Sequence, residues 1–205
     1  PIRDLLGISK DRIVVGYVGS FAPWHGLDLL VDAIEQLAAE DLPIHLMLVG
    51  QANPKWQATL DRVRKPGLRD FVTLAGFVAP QSIPEYVAAM DITVLPNAAD
   101  YCSPLKLFEY MSMAKPTVAV GIPPVVAMLT DGVEGFIFPK GDVEKLTKRL
   151  KELVQNSEQR QLLGSAARKR MESEFTWKHN AERVYALLES AHTSFDLGFE
   201  PKRSR

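Results

Sequence analysis

The 205-residue sequence has almost no cysteine, no excess of charge and no long apolar run, and each absence excludes a class of protein. Its one cysteine, Cys102, excludes an intramolecular disulfide framework and any multi-cysteine metal site. The net charge of −1 argues against a nucleic-acid-binding domain, because such domains are strongly basic. No apolar run approaches the roughly 18–20 residues that span a bilayer. These absences, with 46 % hydrophobic residues, indicate a soluble globular domain.

An initiating methionine is also missing, since the chain begins Pro1-Ile2-Arg3. This start lacks the basic and apolar regions of a signal peptide. We therefore expect a chain that is processed or cut from something longer, and we expect a cytoplasmic location.

Short apolar, β-branched runs alternate along the chain with longer stretches of helical period. The run at residues 13–18 lacks alternation of apolar and polar residues, which predicts a strand buried on both faces. Leu27, Leu30 and Ile34 then recur at helical spacing, which predicts an amphipathic helix. The same reasoning predicts further strands at 44–49, 71–74, 92–95, 117–120 and 135–138. It predicts further helices at 54–65, 81–90, 104–114, 124–129, 142–155, 157–175 and 176–191.

This alternation of six strands with helices predicts an α/β fold of the doubly wound, Rossmann-like kind. The sheet would be parallel and six-stranded, with helices on both faces and extra helices at the C-terminal end. We expect one domain over residues 1–193 and a polar tail over residues 194–205.

Ligands of open parallel sheets bind beyond the carboxyl ends of the strands, so the loops that follow strands are informative. The first such loop holds Gly19, Ser20, Trp24, His25 and Gly26, and it lacks the G-x-G-x-x-G fingerprint of dinucleotide sites. A glycine turn before a helix offers backbone N–H groups to an anion, and His25 could add a charge-assisted hydrogen bond. The same residues are compatible with a tight turn that holds a packed Trp24 and a structural histidine.

A second informative loop leads into the predicted helix at 104–114. Ser103 and Pro104 form a favourable N-cap and first-turn pair, which would leave the amides of Leu105 and Lys106 unpaired. Lys106 faces the positive end of the helix dipole, a placement that a bound dianion would explain. Glu109 lies on the same helix face and could accept two hydrogen bonds from a diol. The alternative is an ordinary Lys106–Glu109 surface pair.

Two further loops give weaker signals. Phe77 and Val78 follow the third predicted strand, and their backbone could face a flat ring or form a simple turn. Residues 120–124 precede a short helix and could form another phosphate-side loop. Together the four loops predict a nucleotide site, with the base near residues 77–78, the ribose at Glu109 and the phosphates at two helix N-termini.

These motifs resemble, in order and spacing, those of family-4 glycosyltransferases. The similarity extends over roughly residues 10–190 and is strongest in the block Ser103-Pro104-Leu105-Lys106-Leu107-Phe108-Glu109-Tyr110-Met111. Other blocks that carry the resemblance lie at residues 18–27, 48–50, 74–78, 91–96, 115–119, 131–136 and 141–142.

The resemblance implies the GT-B fold, in which two Rossmann-like domains face each other across a cleft. This chain would be the C-terminal, donor-binding domain of a retaining, metal-independent enzyme that builds polysaccharides or glycoconjugates by hexosyl transfer. The N-terminal acceptor domain of the same enzyme would be missing, and with it the main catalytic groups, so this piece alone would be inactive in transfer. No cofactor, metal or nucleic acid is implied. A peripheral membrane role through the other domain stays open.

Site residues follow from the same resemblance, position by position. Glu109 would hold the ribose, and Phe77 and Val78 would lie beside the base. The residues implied on the phosphate side are Gly19, Ser20, His25, Leu105 and Lys106, and those on the donor-sugar side are Asp100, Tyr101 and Ser103.

The sequence departs from the family pattern at four positions. Tyr101 stands where the family has the first glutamate of its E-x₇-E motif, so recognition of the donor sugar is in question. Ser20 and His25 stand where the family often has a basic pair, and Pro104 has no N–H to donate. These departures keep a second hypothesis open, a non-catalytic nucleotide-binding or interaction domain. A nicotinamide-dependent oxidoreductase is a third, weakened by the missing glycine fingerprint.

Overall fold

Six parallel strands form one sheet in the computed structural model, which describes residues 1–52 and 54–196, with side chains to residue 192. The strand order is β3-β2-β1-β4-β5-β6. The strands are β1 Ile13–Val18, β2 Ile44–Val49, β3 Val72–Gly76, β4 Ile92–Leu95, β5 Thr117–Val120 and β6 Gly135–Phe138. The order reverses between β1 and β4, which places the switch point of a doubly wound sheet there. The predicted fold class is confirmed.

Helices follow most of the strands and cover both faces of the sheet. They are α1 Ile2–Leu5, α2 Leu27–Ala39, α3 Gln57–Val63, α4 Ile83–Ala88, α5 Leu105–Ser112, α6 Pro123–Val126, α7 Val143–Gln155, α8 Ser157–Glu174 and α9 Trp177–Asp196. Successive residues of β1 enter two different apolar clusters: Val15 and Tyr17 pack into one, and Val14 and Val18 pack into the other. Both faces of the sheet are therefore buried, as the absence of alternation predicts.

The predicted bounds of five strands are confirmed, and those of the third are corrected. Phe71 ends a short 3-10 turn instead of beginning the strand, and β3 continues to Gly76. The pairing explains the extension, because Val49 of β2 pairs with Gly76 after a shift of register. The strand lies at the edge of the sheet, where irregular pairing is common.

The helices differ from prediction mainly at their ends. Residues Pro54–Trp56 form a 3-10 turn before α3, and α9 continues to Asp196. The predicted start of the polar tail at residue 194 therefore falls inside α9, and residues 197–205 lie outside the described part of the chain. That residues 1–193 form a single domain stays a prediction.

The first helix, α1, has no counterpart in the sequence prediction. Arg3 of this helix binds the segment that follows α4. Its Nε donates to the Ala89 carbonyl at 2.8 Å, and its Nη2 donates to Asp91 Oδ2 at 2.8 Å. Asp91 also accepts the Val14 amide at 2.7 Å. A four-residue helix is too short to show a periodic pattern, which explains why sequence reasoning missed it.

We expect His45, on β2, to make the stability of the fold depend on pH. It is 7 % exposed, and burial, with the positive charge of Arg12 second, lowers its pKa to about 4. The unfolded chain therefore binds more protons than the fold between about pH 4 and 6.5, so stability falls as the pH drops through that window. We expect a loss of up to about 3 kcal/mol in urea unfolding free energy, since each pKa unit is worth about 1.4 kcal/mol. His45→Gln should flatten this slope; an unchanged slope would contradict the assignment.

Candidate functional site

Two adjoining cavities open at the carboxyl end of β1, where the sheet order reverses. One has a volume of about 440 Å³ and lies between Gly19, α4 and the face of α5 that carries Lys106 and Glu109. The other, of about 290 Å³, lies between Gly19, the end of β2 and the turn at Phe77 and Val78. A third, of about 510 Å³, lies between α2 and the segment after α3, away from the switch point. The first two have the placement expected of a ligand site.

Of the two cavities at the carboxyl end of β1, the larger, of about 440 Å³, has Lys106 as its cation. Its ammonium lies 5.7 Å from the centroid of the Tyr17 ring, and burial lowers its pKa. Within the described residues no carboxylate lies within 4.0 Å of its nitrogen. The alternative prediction, an ion pair between Lys106 and Glu109, is therefore wrong. A half-buried ammonium without an ion pair, at the wall of a cavity, is suited to an anionic ligand.

Gly19 and Gly50 bring the first loop close to β2 and α5. Gly19 has φ +143°, and a Cβ there would lie 2.4 Å from Lys106 Cε and 2.8 Å from the Tyr17 hydroxyl. A Cβ at Gly50 would lie 1.9 Å from the Gly19 carbonyl oxygen. Glycine at both positions therefore lets the lysine stem lie against the chain. The Gly19 amide donates to Val49 at 2.9 Å, so Gly19 contributes space and not a free donor.

Ser20 lines the smaller cavity, whereas His25 lines neither of the two and contacts the site through Ser20. His25 Nδ1 donates to the Ser20 carbonyl at 2.8 Å, because a carbonyl oxygen can only accept. Burial, and secondarily the positive charge of Lys106, lowers the pKa of His25. The Ser20 amide has no acceptor among the residues that the structure describes. Trp24 is 62 % exposed, so the alternative of a turn built around a packed Trp24 is wrong.

Glu109 lines one of the two adjoining cavities, and the pair Phe77–Val78 lines the other. Glu109 is exposed at the wall of the larger cavity, opposite an apolar wall from α4 that includes Ile83. Phe77, which is 77 % exposed, and Val78 line the smaller cavity. The two cavities share Val18, Gly19 and Ile83, so one extended ligand could contact both.

The start of α5 differs from the prediction. Pro104, not Ser103, occupies the N-cap position, and no side chain caps the helix. The Leu105 amide donates to the Ser103 carbonyl at 3.0 Å across Pro104, whose φ of −81° and ψ of 77° are those of an inverse γ-turn. The Leu105 amide is therefore paired, contrary to prediction. The Lys106 amide has no acceptor within residues 1–52 and 54–196.

Residues predicted on the donor-sugar side lie outside both cavities. Asp100 forms an ion pair with Lys140 at 3.0 Å, and Tyr101 is 90 % exposed. Ser103 is exposed and contributes its carbonyl to the turn before α5. Their predicted role in recognising a sugar stays a prediction.

Sequence reasoning missed three contributors to the site. The sequence places Tyr17 where the first strand meets the first loop and predicts no role for it in the site, although its hydroxyl donates to the Ser20 carbonyl at 3.1 Å. Gly50 ends β2 beside Gly19, and a glycine directly after a buried strand was the available signal. The apolar wall from α4, with Ile83 and Val87, gave no signal because its residues are typical of any core.

Clusters of metal ligands and membrane-spanning helices are both absent from the described part of the chain. No group of three or more His, Cys, Asp or Glu residues there is placed to hold a metal ion. No helix there is long and apolar enough to cross a membrane.

Comparison with known proteins supplies the family. Residues 12–156, well over half of the chain, match the sequence model described as "Glycosyl transferases group 1". The chain belongs to this family. The predicted resemblance to a glycosyltransferase domain is thereby confirmed, and the family-4 assignment stays a prediction.

Relatives of this group 1 glycosyltransferase domain share about a quarter of its residues. An alpha-D-kanosaminyltransferase from Streptomyces kanamyceticus is 26 % identical over 168 residues, which cover 81 % of this chain and 42 % of the relative. A D-inositol 3-phosphate glycosyltransferase from Stackebrandtia nassauensis is 27 % identical over 190 residues, which cover 88 % of this chain and 42 % of the relative. The chain thus spans less than half the length of these two relatives.

Solved structures of other proteins have the same fold. Anabaena Alr3699/HepE in complex with UDP superposes with a TM-score of 0.80 at 25 % identity, over 92 % of this chain and 51 % of HepE. The C-terminal domain of LpcC, a group 1 family protein from Francisella tularensis, superposes with a TM-score of 0.73 at 15 % identity, over 85 % of this chain and 93 % of the LpcC domain. The GT-B kind of domain is therefore shown for this group 1 glycosyltransferase chain.

Proposed function

We propose that this domain binds the nucleoside diphosphate of a sugar-nucleotide donor for a retaining, metal-independent, family-4 glycosyltransferase. The observation that carries the proposal is the half-buried, unpaired ammonium of Lys106 beside the carboxylate of Glu109 on one cavity wall. A ligand with an anionic group and a diol suits both side chains. The UDP in the HepE neighbour, which is 25 % identical to this chain, supports the same ligand class.

In this proposal each part of the ligand has its own contacts. The diphosphate lies against Lys106, the Ser20 amide and His25, the ribose hydroxyls donate to Glu109, and the base lies beside Phe77 and Val78. Lys106 would stabilise the negative charge that develops on the diphosphate as the glycosidic bond breaks. His25 would add to this where the charge of the bound diphosphate offsets the lowered pKa and favours the protonated ring.

The remaining parts of the proposal concern the whole enzyme. The acceptor, and the main catalytic groups, would belong to an N-terminal domain, so this chain alone would bind a donor without transferring a hexosyl group. Sugar nucleotides are cytoplasmic metabolites, which supports a cytoplasmic enzyme of polysaccharide or glycoconjugate biosynthesis. Such an enzyme could still bind the membrane surface through its other domain.

The direct test is calorimetric titration of the chain with UDP, GDP and ADP, and with NAD as the contrasting ligand. We expect one of the three diphosphates to bind with a Kd at or below the order of 100 μM, and NAD to bind at least tenfold more weakly. Failure of all three diphosphates, or tighter binding of NAD, would overturn the proposal. Donor hydrolysis or transfer by a longer form that includes the acceptor domain would then separate an enzyme from a non-catalytic binding domain.

A further inference from the structure

Tyr17 contacts both basic residues of the diphosphate site, although it is a fully buried residue of β1. We propose that Tyr17 is a positioning residue that holds Lys106 and His25 in place for a nucleoside diphosphate. The inference rests on the proposed function and adds to it a residue that would touch no part of the ligand.

The ring of Tyr17 holds the lysine. The Lys106 ammonium lies 5.7 Å from the ring centroid, within the range in which a cation is attracted by the ring quadrupole. The lysine stem lies against Gly19, where a Cβ would be 2.4 Å from Cε. The ring and the glycine thus hold the ammonium at the cavity wall, where no carboxylate of the described residues lies within 4.0 Å of it.

The hydroxyl of Tyr17 holds the histidine through a shared acceptor. It donates to the Ser20 carbonyl at 3.1 Å, and the same oxygen accepts from His25 Nδ1 at 2.8 Å. This second bond keeps the proton on Nδ1 in the neutral ring and leaves Nε2 as the nitrogen that donates when the ring is protonated. Fixing the Ser20 carbonyl therefore fixes both the orientation and the tautomer of His25.

A core role alone does not explain a tyrosine here. The neighbours of Tyr17 in its apolar cluster include Phe21 and Leu27, and phenylalanine would fill the same volume without a buried hydroxyl. Burial of a hydroxyl is favourable only when it finds a partner, and here the partner is the Ser20 carbonyl beside His25. The hydroxyl of Tyr17 thus binds the first loop and contributes no bond within the apolar core.

A double-mutant cycle of Tyr17→Phe and His25→Ala tests the proposal. The probes are the tightest-binding of UDP, GDP and ADP, and the matching nucleoside. Tyr17→Phe keeps the ring, so Lys106 keeps its contact, and we expect about a fivefold loss of diphosphate affinity, typical of one lost hydrogen bond. We expect less than a twofold change for the nucleoside, and less than a twofold effect of Tyr17→Phe once His25 is alanine. Thermal unfolding checks that each variant folds.

Three results would overturn the positioning role. They are an unchanged diphosphate affinity in Tyr17→Phe, equal losses for diphosphate and nucleoside, and additive losses in the double variant. A second measurement needs no ligand: imidazole ¹⁵N shifts should show Nδ1–H in His25 of the unchanged chain and a mixture of tautomers in Tyr17→Phe. Retention of pure Nδ1–H would also overturn it. If the unchanged chain binds no diphosphate, the proposed function fails, whereas the tautomer measurement still decides whether Tyr17 orients His25.

Discussion

Glu109→Ala should lower the affinity of the domain for its nucleoside diphosphate about 100-fold. The carboxylate would accept two ribose hydroxyls, and each charge-assisted hydrogen bond contributes about 1.5 kcal/mol or more, which together amount to about two decades in Kd. Glu109 is exposed on α5 and has no ion pair within the described residues, so its removal should leave folding intact. Calorimetric titration measures the loss directly.

A 2′,3′-dideoxynucleoside diphosphate makes this test specific to the ribose. The unchanged chain should bind it about 100-fold more weakly than the parent nucleotide, whereas Glu109→Ala should bind the two equally, because the acceptor is gone. Glu85→Ala is the matched control, since Glu85 is an exposed carboxylate of α4 that does not line the cavity. Equal affinities of Glu109→Ala and the unchanged chain for the parent nucleotide would refute the ribose assignment.

The sequence predicts the sheet well because buried parallel strands have a strong signature. Five of the six strands have their predicted bounds, since continuous β-branched runs such as residues 13–18 occur where both faces are covered. The exception, β3, lies at the edge of the sheet, where a register shift beside Val49 decides its end. Such a shift depends on the neighbouring strand and leaves no local pattern.

The sequence predicts which loops form the candidate site, but it does not predict the hydrogen bonds and contacts within them. Glycines after strands and the Lys106–Glu109 spacing predict a site at the carboxyl edge of the sheet, where the two adjoining cavities lie. The Ser103 cap and the free Leu105 amide were wrong, because Pro104 turns the chain one residue later than a capping pattern assumes. The contacts of Tyr17 cannot be predicted from the sequence, because they require α5, which carries Lys106, to pack beside the first loop, which carries Ser20.

Local charge, not overall charge, distinguishes this site. The chain has a net charge of −1, so its overall charge gives no attraction for an anion. In the proposed site the positive potential would come from Lys106, from His25 when protonated, and from the unpaired amides of Ser20 and Lys106. Such a site should discriminate strongly between a diphosphate and a neutral nucleoside, and one side chain should account for most of the difference.

Lys106→Met should therefore lower affinity for the diphosphate about 30-fold and affinity for the nucleoside less than threefold. Two unit charges 4 Å apart attract by about 4 kcal/mol at an effective dielectric constant of 20. Screening by solvent at this half-buried position halves that figure to about 2 kcal/mol, or 30-fold. Methionine keeps an apolar stem against Gly19 and the Tyr17 ring, so packing is largely preserved.

Paired titrations of diphosphate and nucleoside separate the phosphate role from a packing role. Lys148→Met is the matched control, because Lys148 is an exposed lysine of α7 away from both cavities. Raising the salt concentration should weaken diphosphate binding to the unchanged chain more than binding to Lys106→Met, since the variant has lost the main charge contact. Equal losses for diphosphate and nucleoside would show that the lysine supports the fold of the cavity and not the phosphates. A diphosphate-specific loss would assign the anion site to the start of α5.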